Sequence, residues 1–207
     1  MANVAHAKRG AIIGVMGLVF AKLLTDTALG ATPGTTYDVA LHEVPGTIEV
    51  GLTASITDEV LGADDNPTYD IFSSLDSVDV SMTLAALGTD LEAFLLGGTL
   101  DNNGVLVTAS ADAAPWVAMG FKSKRSDGSY DYIWLYKGKF KHGDSTHHTK
   151  ERGAVNWQTP AISATFGPRD FDGRIKARVN DKDEGLGVNT ISTFLAAPYV
   201  PAVTVTP

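Results

Sequence analysis

Three stretches of the chain alternate strictly between apolar and polar residues. From Thr47 to Ile56 the apolar residues fall on even positions, and the stretches from Ser77 to Leu84 and from Gln158 to Phe166 repeat this period of two. Such a period places successive side chains on opposite faces of a β-strand. The pattern therefore predicts three strands, each with one apolar face and one polar face.

The polar faces of these strands share an unusual composition. They carry short hydroxyl side chains and carboxylates, and they lack the Lys and Arg that usually decorate a solvent-exposed face. An ordinary half-exposed antiparallel sheet explains one such strand, but three of them together indicate a smooth acidic surface. On the first two strands this surface is defined by Glu49, Thr53, Ser55, Asp79, Ser81 and Thr83.

The segment between the first two strands, residues 57–74, is rich in Asp and Gly and is predicted to be a long acidic loop. Loops of this length are uncommon inside compact domains and usually have a function. We expect this one to reach a partner. Its carboxylates include Asp58, Glu59, Asp64, Asp65 and Asp70.

One helix is predicted, at about residues 89–97. Thr89 as N-cap and Glu92 three residues later form a capping-box pattern, and Gly97 provides the termination signal. The helix is expected to flank the sheet.

An Asp-Gly pair at positions 127–128 predicts a β-hairpin with a primed turn between residues 116–124 and 130–142. Aromatic residues follow the second strand and are predicted to share one face. The opposite face ends in three lysines. The aromatic set is Tyr130, Tyr132, Trp134, Tyr136 and Phe140, and the lysines are Lys137, Lys139 and Lys141.

The N-terminal apolar run from Ala11 to Ala21 has two interpretations. It follows a basic pair, as in a secretory signal peptide, but Lys22 and Asp26 interrupt the run before a cleavage site. We favour a first strand around 17–24, preceded by an N-terminal arm at residues 1–16. The C-terminal extension, residues 186–207, contains three prolines and is predicted to be an extended arm.

These elements predict a mainly β protein: an antiparallel β-sandwich or barrel with one flanking helix, extended arms and a single domain over residues 1–207. The chain has 207 residues, 44% of them hydrophobic, 21 glycines and no cysteine. It is therefore long enough to bury a core and rich in turn residues. The absence of cysteine excludes disulfides and thiol nucleophiles.

The formal net charge of −8 is segregated along the chain. Residues 23–121 contain 15 carboxylates and no Lys or Arg, whereas residues 122–207 contain 13 basic and 9 acidic residues. A nucleic-acid binder needs cations to neutralise phosphates, and residues 23–121 offer none. The segregation either serves solubility alone or provides unlike surfaces through which copies attract one another head to tail.

Motifs of catalysis are absent from the sequence. It contains no Walker loop, dinucleotide fingerprint, nucleophile elbow or zinc-protease motif. Asp144, His147 and His148 lie close together, but a polar loop explains them better than a metal site. The turn 181–185 resembles a calcium loop without its full ligand series and is predicted to be an acidic turn. No catalytic residue, metal site or cofactor is assigned.

Several blocks, in order, resemble the major tail tube proteins of long, non-contractile-tailed bacteriophages. They are 101–107 (DNNGVLV), 114–123 (APWVAMGFKS), 132–140 (YIWLYKGKF), 158–160 (QTP) and the acidic turn 181–185. The resemblance extends from about residue 17 to residue 185. It leaves out the arm through Met16 and the tail from Leu186.

The resemblance implies a non-enzymatic β-sandwich or barrel subunit, similar also to the inner tube protein of type VI secretion. Such siphophage subunits form hexameric rings that stack into a hollow tail tube. The implied location is the virion tail, and the host cytoplasm during assembly, with no membrane and no cofactor. The implied partners are further copies and the tape measure, tail tip and tail terminator proteins. Double-stranded DNA would pass transiently without specific binding.

Two functions therefore follow as alternatives. For a tube subunit, we expect the acidic surface, formed by the six residues named above on the first two strands, to line the lumen. We expect the acidic loop at residues 57–74 to contact an adjacent ring near Lys137, Lys139 and Lys141. The alternative is a secreted β-sandwich carbohydrate-binding module whose aromatic strand, residues 130–136, supplies the binding platform. Polymerisation separates the first function from the second, since the module would be monomeric.

Overall fold

A computed structural model describes residues 9–28, 34–143, 147–149, 153, 157–187 and 189–201. It confirms the predicted fold class, a mainly β protein built from antiparallel strands with a flanking helix. The strands are β1 (Ile12–Asp26), β2 (Thr35–Tyr37), β3 (His42–Val44), β4 (Thr47–Ala63), β5 (Asn66–Leu84), β6 (Thr99–Leu100), β7 (Leu106–Val107), β8 (Val117–Arg125), β9 (Tyr130–Lys141), β10 (Ala161–Gly167) and β11 (Lys176–Asn180). The helices are α1 (Thr89–Leu96) and the short α2 (Thr190–Thr193).

Nine of the strands form one sheet. Seven of them follow the order β2-β1-β8-β9-β10-β5-β4, and β3 and β11 pair beside this path. β3 pairs beside β2 on β1, and β11 pairs with the first half of β9 while β10 pairs with its second half. The three strands predicted from alternation, β4, β5 and β10, are neighbours in this sheet. Their polar faces therefore join into one surface.

The main core lies on the apolar face of this sheet, and α1 packs against it. Apolar residues of β5 and β10 meet those of β1, β8 and β9 there, and Leu91, Leu95 and Leu96 of α1 join them. Leu18, Phe20, Leu84, Met119 and Phe166 are fully buried in this cluster.

A second apolar cluster lies on another part of the sheet and contains Trp134, Tyr136 and Phe194. The Trp134 indole Nε1 donates a hydrogen bond of 2.6 Å to the Phe194 carbonyl oxygen. Residues 186–195 of the C-terminal extension therefore pack against the rest of the chain through apolar side chains. The extended arm was predicted for the proline-containing stretch 197–207, whose described residues 198–201 form no helix or strand.

The predicted acidic loop at residues 57–74 is wrong, because β4 and β5 continue through it as one long hairpin. Their pairing runs from Thr47 opposite Leu84 to Ala63 opposite Asn66. Asp64 and Asp65 form the turn with φ values of 51° and 58°, the left-handed conformation that Asp tolerates in tight turns. Asp and Gly content suggested a loop, but cross-strand hydrogen bonds outweigh this weak local preference.

The N-terminal boundary also differs from the prediction. β1 begins at Ile12 and pairs with β8 from Ile12 opposite Arg125 onward. Residues 12–16, assigned to the arm, therefore belong to the strand.

The helix α1 lies where it was predicted, but it is capped differently at its start. The N-cap is Gly88, no side chain caps the helix, and the Glu92 amide donates to the Gly88 carbonyl at 2.9 Å. The capping box is therefore not formed. Gly97 ends the helix as predicted, with a φ of 83° and its amide bonded to Ala93.

The β8–β9 hairpin is confirmed, with two corrections. A primed turn needs a positive φ at its first central residue, and in type I′ at the second as well. In the turn at 126–129 the first central residue, Asp127, has no positive φ, whereas Gly128 has a φ of 81°. The turn is therefore not of the primed type. The aromatic residues of β9 do not share one face: Trp134 and Tyr136 belong to the second cluster and Phe140 to the main core. An irregularity in the β8–β9 register, between Val117 and Met119, accompanies this change of face.

Gly138 tests the packing of this core. A Cβ at Gly138 would meet the ring of buried Phe166 at 2.5 Å, whereas a Cβ at Gly167 would have no atom within 4 Å. We expect Gly138→Ala to lower the free energy of unfolding by about 1–3 kcal/mol through overpacking. Gly167→Ala is the control and should be neutral or slightly stabilising. Urea unfolding followed by tryptophan fluorescence measures both, and equal stabilities for the two variants would contradict the packing described.

Candidate assembly surface

The six residues predicted to line a lumen are brought together on one sheet face. Glu49 lies opposite Thr83, Thr53 opposite Asp79, and Ser55 opposite Ser77 in the β4–β5 ladder. Residues directly opposite one another share a face. The polar surface is completed by Ser81 of β5 and by Ser163 and Thr165 of β10.

This polar face extends onto β9 and there it becomes basic. Lys139 lies opposite Thr165, and Lys141 lies opposite Ser163. The Lys141 ammonium donates to the Thr165 hydroxyl at 3.1 Å, which in turn donates to an Asp79 carboxylate oxygen at 2.7 Å. Strand order therefore places Lys139 and Lys141 beside the acidic residues of the same face, and their contact with an adjacent ring stays a prediction.

Lys137 is held inside its own subunit. Its ammonium lies 2.8 Å from a carboxylate oxygen of Asp26 and 2.9 Å from one of Asp170, and its side chain is 13% exposed. Lys137 is therefore already paired within the chain, and its contact with an adjacent ring stays a prediction.

Asp26 is the buried partner in this group. Burial by itself raises the pKa of Asp26, but hydrogen bonds from Lys137 and from the Asp170 and Phe171 amides, at 2.8 and 3.0 Å, outweigh it. The pKa of Asp26 is therefore lower than usual. Ionised Asp26 joins β1 to the segment that follows β10.

The hairpin formed by β4 and β5 projects beyond the rest of the sheet. β10 pairs with β5 only between Val78 and Thr83, and β4 has no hydrogen-bonded neighbour other than β5 in the described chain. At roughly 3.4 Å per residue, the stretch from Ser55, opposite Ser77, to Ala63 is about 30 Å long. We call this stretch and its partner strand, residues 55–77, the projecting hairpin.

The projecting hairpin exposes a large amount of apolar surface. Ile56 lies opposite Leu75, and Val60 lies opposite Ile71, so these four residues form two cross-strand apolar pairs. Each is at least 40% exposed. The other exposed apolar residues of the hairpin are Leu61, Tyr69 and Phe72.

The five predicted contact carboxylates, Asp58, Glu59, Asp64, Asp65 and Asp70, are exposed on the same hairpin. Their contact with another ring stays a prediction. The exposed apolar residues of the hairpin were not predicted from the sequence. Tyr69, Ile71 and Leu75 fall on odd positions and were the available signal, which the nearby Asp residues obscured.

Such a hairpin is unusual for an isolated subunit. A two-stranded hairpin is only marginally stable in water without packing. The polar pair of Asp58 and Ser73 separates its two apolar pairs, and all four apolar side chains are exposed. Free strand edges also invite pairing with another chain. The projecting hairpin therefore has the properties of a surface that is covered in an assembly.

Burial removes two aromatic residues from the platform expected of the carbohydrate-binding module. Trp134 and Tyr136 are fully buried, and the Arg169 guanidinium lies 3.8 Å from the centre of the Tyr136 ring. Tyr130 and Tyr132 are half-buried. These two tyrosines keep exposed surface, and carbohydrate binding stays a prediction.

The polar clusters considered for metal binding have other roles where they are described. In the described residues, no group of three or more His, Asp or Glu is positioned to hold a metal ion. Asp144 lies outside those residues, whereas His147 and His148 are exposed. In the acidic turn at 181–185, Asp183 accepts a hydrogen bond of 2.6 Å from Arg9 and so holds the start of the described chain. The described residues also contain no helix long and apolar enough to cross a membrane.

A scan against protein-family models and a search of the curated proteins find no match to this chain.

The pairing of Asp26 with Lys137 predicts a pH-dependent contribution to stability. A carboxylate whose folded pKa is lowered stabilises the fold above its unfolded pKa, about 3.9, and loses that contribution as pH falls through the folded value. We expect Asp26→Asn to lower the free energy of unfolding by about 1–3 kcal/mol at pH 7. The difference in the free energy of unfolding between wild type and Asp26→Asn should become smaller below about pH 4.

Asp170→Asn is the matched control for this measurement. It changes the other partner of Lys137, and the Asp170 side chain is 64% exposed. We therefore expect it to lower the free energy of unfolding by less than about 1 kcal/mol at pH 7. Denaturant titrations between pH 3 and pH 7 measure both variants. A loss in Asp26→Asn that stays constant over this range would contradict the role of the ionised carboxylate.

Proposed function

We propose that this chain is a structural subunit that assembles with copies of itself into a hollow tube, the tail tube of a long, non-contractile-tailed phage. The observation that carries the proposal is the projecting hairpin, with exposed apolar side chains on strands whose outer edges are unpaired. The resemblance in sequence is what implies that the tube consists of sixfold rings and that DNA passes through it.

Self-association accounts for the hairpin better than a foreign partner because the same chain carries complementary charge. The projecting hairpin contains carboxylates and no Lys or Arg, while 13 of the 16 basic residues follow position 121. Two unlike surfaces on one molecule form a heterologous contact, and such a contact generates rings or open filaments. A tube requires both kinds of growth.

The polar face is the proposed lumen lining. Its β4 and β5 part combines hydroxyl groups with Glu49 and Asp79, and its side chains are short. A surface that does not neutralise phosphates lets a duplex slide, since phosphate neutralisation is what holds DNA. The basic edge formed by Lys139 and Lys141 limits this lining to β4, β5 and part of β10.

The remaining parts of the proposal come from the resemblance alone. They are a non-enzymatic role, a location in the virion tail and in the host cytoplasm during assembly, and the tape measure, tail tip and tail terminator proteins as partners. The transient passage of double-stranded DNA without specific binding belongs to the same set.

Placing a charge on the apolar part of the hairpin tests self-assembly. Val60 is 56% exposed in the subunit and pairs with Ile71. Burying one such side chain contributes about 1.5–3 kcal/mol, so we expect Val60→Glu to raise the concentration needed for polymerisation at least ~10-fold. Negative-stain microscopy and sedimentation of the purified chain measure this change.

Val39→Glu is the matched control because Val39 is 96% exposed but lies outside the hairpin. It should polymerise like wild type. If Val60→Glu assembles normally, the hairpin is not an assembly contact. If wild type remains a single particle at every concentration, the proposed function itself is wrong.

Reversing charge on the polar face tests the lumen. We expect the double variant Glu49→Lys and Asp79→Lys to form intact tubes but to slow DNA ejection from virus particles, because the new cations would attract phosphates. The double variant Glu43→Lys and Glu184→Lys makes the same charge change on exposed residues elsewhere and should leave ejection unchanged. Normal ejection by the first variant would exclude this face as the lining.

A further inference from the structure

We propose that Asn103 is a site of spontaneous deamidation in this chain and that Asp101 slows the reaction in the folded state. The reaction converts the side-chain amide into a carboxylic acid, and water is its only co-reactant. Asn103 is followed by Gly104, and this is the one Asn-Gly pair in the sequence. The proposal concerns the chemical durability of the chain and is independent of the proposed assembly.

The reaction closes a cyclic imide between the two residues. The Gly104 backbone nitrogen, after its proton passes to hydroxide, attacks the Asn103 side-chain carbonyl carbon and forms a new C–N bond. The bond from that carbon to the Asn103 amide nitrogen then breaks, and this nitrogen keeps the electron pair, takes a proton from water and leaves as ammonia. Water opens the imide and leaves aspartate or isoaspartate. Glycine favours ring closure because no side chain stands beside the attacking nitrogen.

The Asn-Gly pair lies in an exposed turn between β6 and β7. Leu100 lies opposite Leu106 at the base of this turn, and the Asp101 amide donates to the Val105 carbonyl oxygen at 3.0 Å. All residues from 101 to 105 are exposed. Water and hydroxide therefore reach the reacting groups, and burial gives them no protection.

The Asp101 carboxylate holds the group that would be attacked. Its Oδ1 accepts hydrogen bonds from the Asn103 and Val105 amides, each at 2.8 Å, and its Oδ2 accepts one of 3.3 Å from the Asn103 side-chain amide nitrogen. The hydrogen bonds from the Val105 and Asn103 amides lower the pKa of Asp101, so this carboxyl group is ionised at neutral pH. Asn103 is therefore tied to Asp101 through both its backbone and its side chain.

The attacking nitrogen is restrained as well. The Gly104 amide donates a hydrogen bond of 3.0 Å to the Asp101 carbonyl oxygen, so the proton that must leave is held in this bond. The amides on either side of Gly104 both bind the Asp101 carboxylate. A negative charge at that place disfavours a second one nearby, and the deprotonated Gly104 nitrogen is such a charge.

Ring closure therefore requires the turn to open. The Asn103 side chain must leave Asp101 and turn toward the Gly104 nitrogen, which must give up its own hydrogen bond. Local opening of an exposed segment needs less free energy than global unfolding. The folded chain therefore reacts through the opened turn, and the Asp101 carboxylate determines how rarely the turn opens.

Asp101→Ala tests this role because it removes all three hydrogen bonds to the carboxylate. We expect the folded variant to deamidate at Asn103 at least ~5-fold faster than folded wild type. Peptide mass spectrometry of the full chain after incubation at neutral pH measures the rate. Pepsin should supply the peptides, since trypsin has no site between Lys22 and Lys122. Wild type unfolded in urea gives the unrestrained rate, toward which the rate of Asp101→Ala should move.

Two further variants separate Asp101 from other effects on the turn. Asp101→Asn keeps a carbonyl oxygen that can accept the two backbone hydrogen bonds, so it should react more slowly than Asp101→Ala. Asp112→Ala is the matched control, because Asp112 accepts a hydrogen bond of 2.7 Å from the Ala109 amide in the next turn along the chain. It should deamidate at Asn103 at the wild-type rate.

Gly138→Ala, which we expect to be destabilised in the core, separates opening of the turn from global unfolding. It should keep the wild-type rate at Asn103 under folding conditions. An equal acceleration in Gly138→Ala and Asp101→Ala would overturn the local role of Asp101, and so would equal rates in wild type and Asp101→Ala. Absence of deamidation at Asn103 in the urea-unfolded chain would overturn the site itself.

Discussion

The antiparallel pairing of β4 with β5 continues far beyond the core that the rest of the sheet encloses. Within the core, Val78, Val80 and Met82 are buried against neighbouring strands. Between Val78 and its turn, the hairpin keeps its cross-strand pairing but pairs with no other described strand. The proposed assembly depends on this constraint, because the apolar side chains exposed on this part of the hairpin would be buried against another copy.

β9 organises the rest of the subunit. It pairs with β8 along one edge and with β11 and then β10 along the other, and its residues enter both apolar clusters. Its lysines are divided in the same way. Lys137 turns toward Asp26 and Asp170, whereas Lys141 reaches Thr165 on the polar face. One strand therefore stabilises the interior and sets the boundary of the acidic surface.

The charge segregation of the sequence acquires a geometry in the fold. The acidic half of the chain supplies the projecting hairpin and the β4–β5 part of the polar face, while basic residues of the second half border that face on β9. The two signs meet across β10 through the hydroxyl of Thr165. Heterologous assembly requires unlike surfaces on a single subunit. The fold therefore favours this interpretation of the charge segregation over a role in solubility alone, a choice that composition leaves open.

The sequence by itself determined the strands with a period of two, the position of α1, the β8–β9 hairpin and the faces shared by Glu49, Thr53 and Asp79. These depend on local alternation and local turn chemistry, which are written in neighbouring residues. Only the tertiary structure decided that residues 57–74 form strands, that Lys139 and Lys141 adjoin the acidic face, and that Lys137 and the C-terminal extension are held within the subunit. Those outcomes depend on which distant segments pair, and that choice is made by burial and long-range hydrogen bonding.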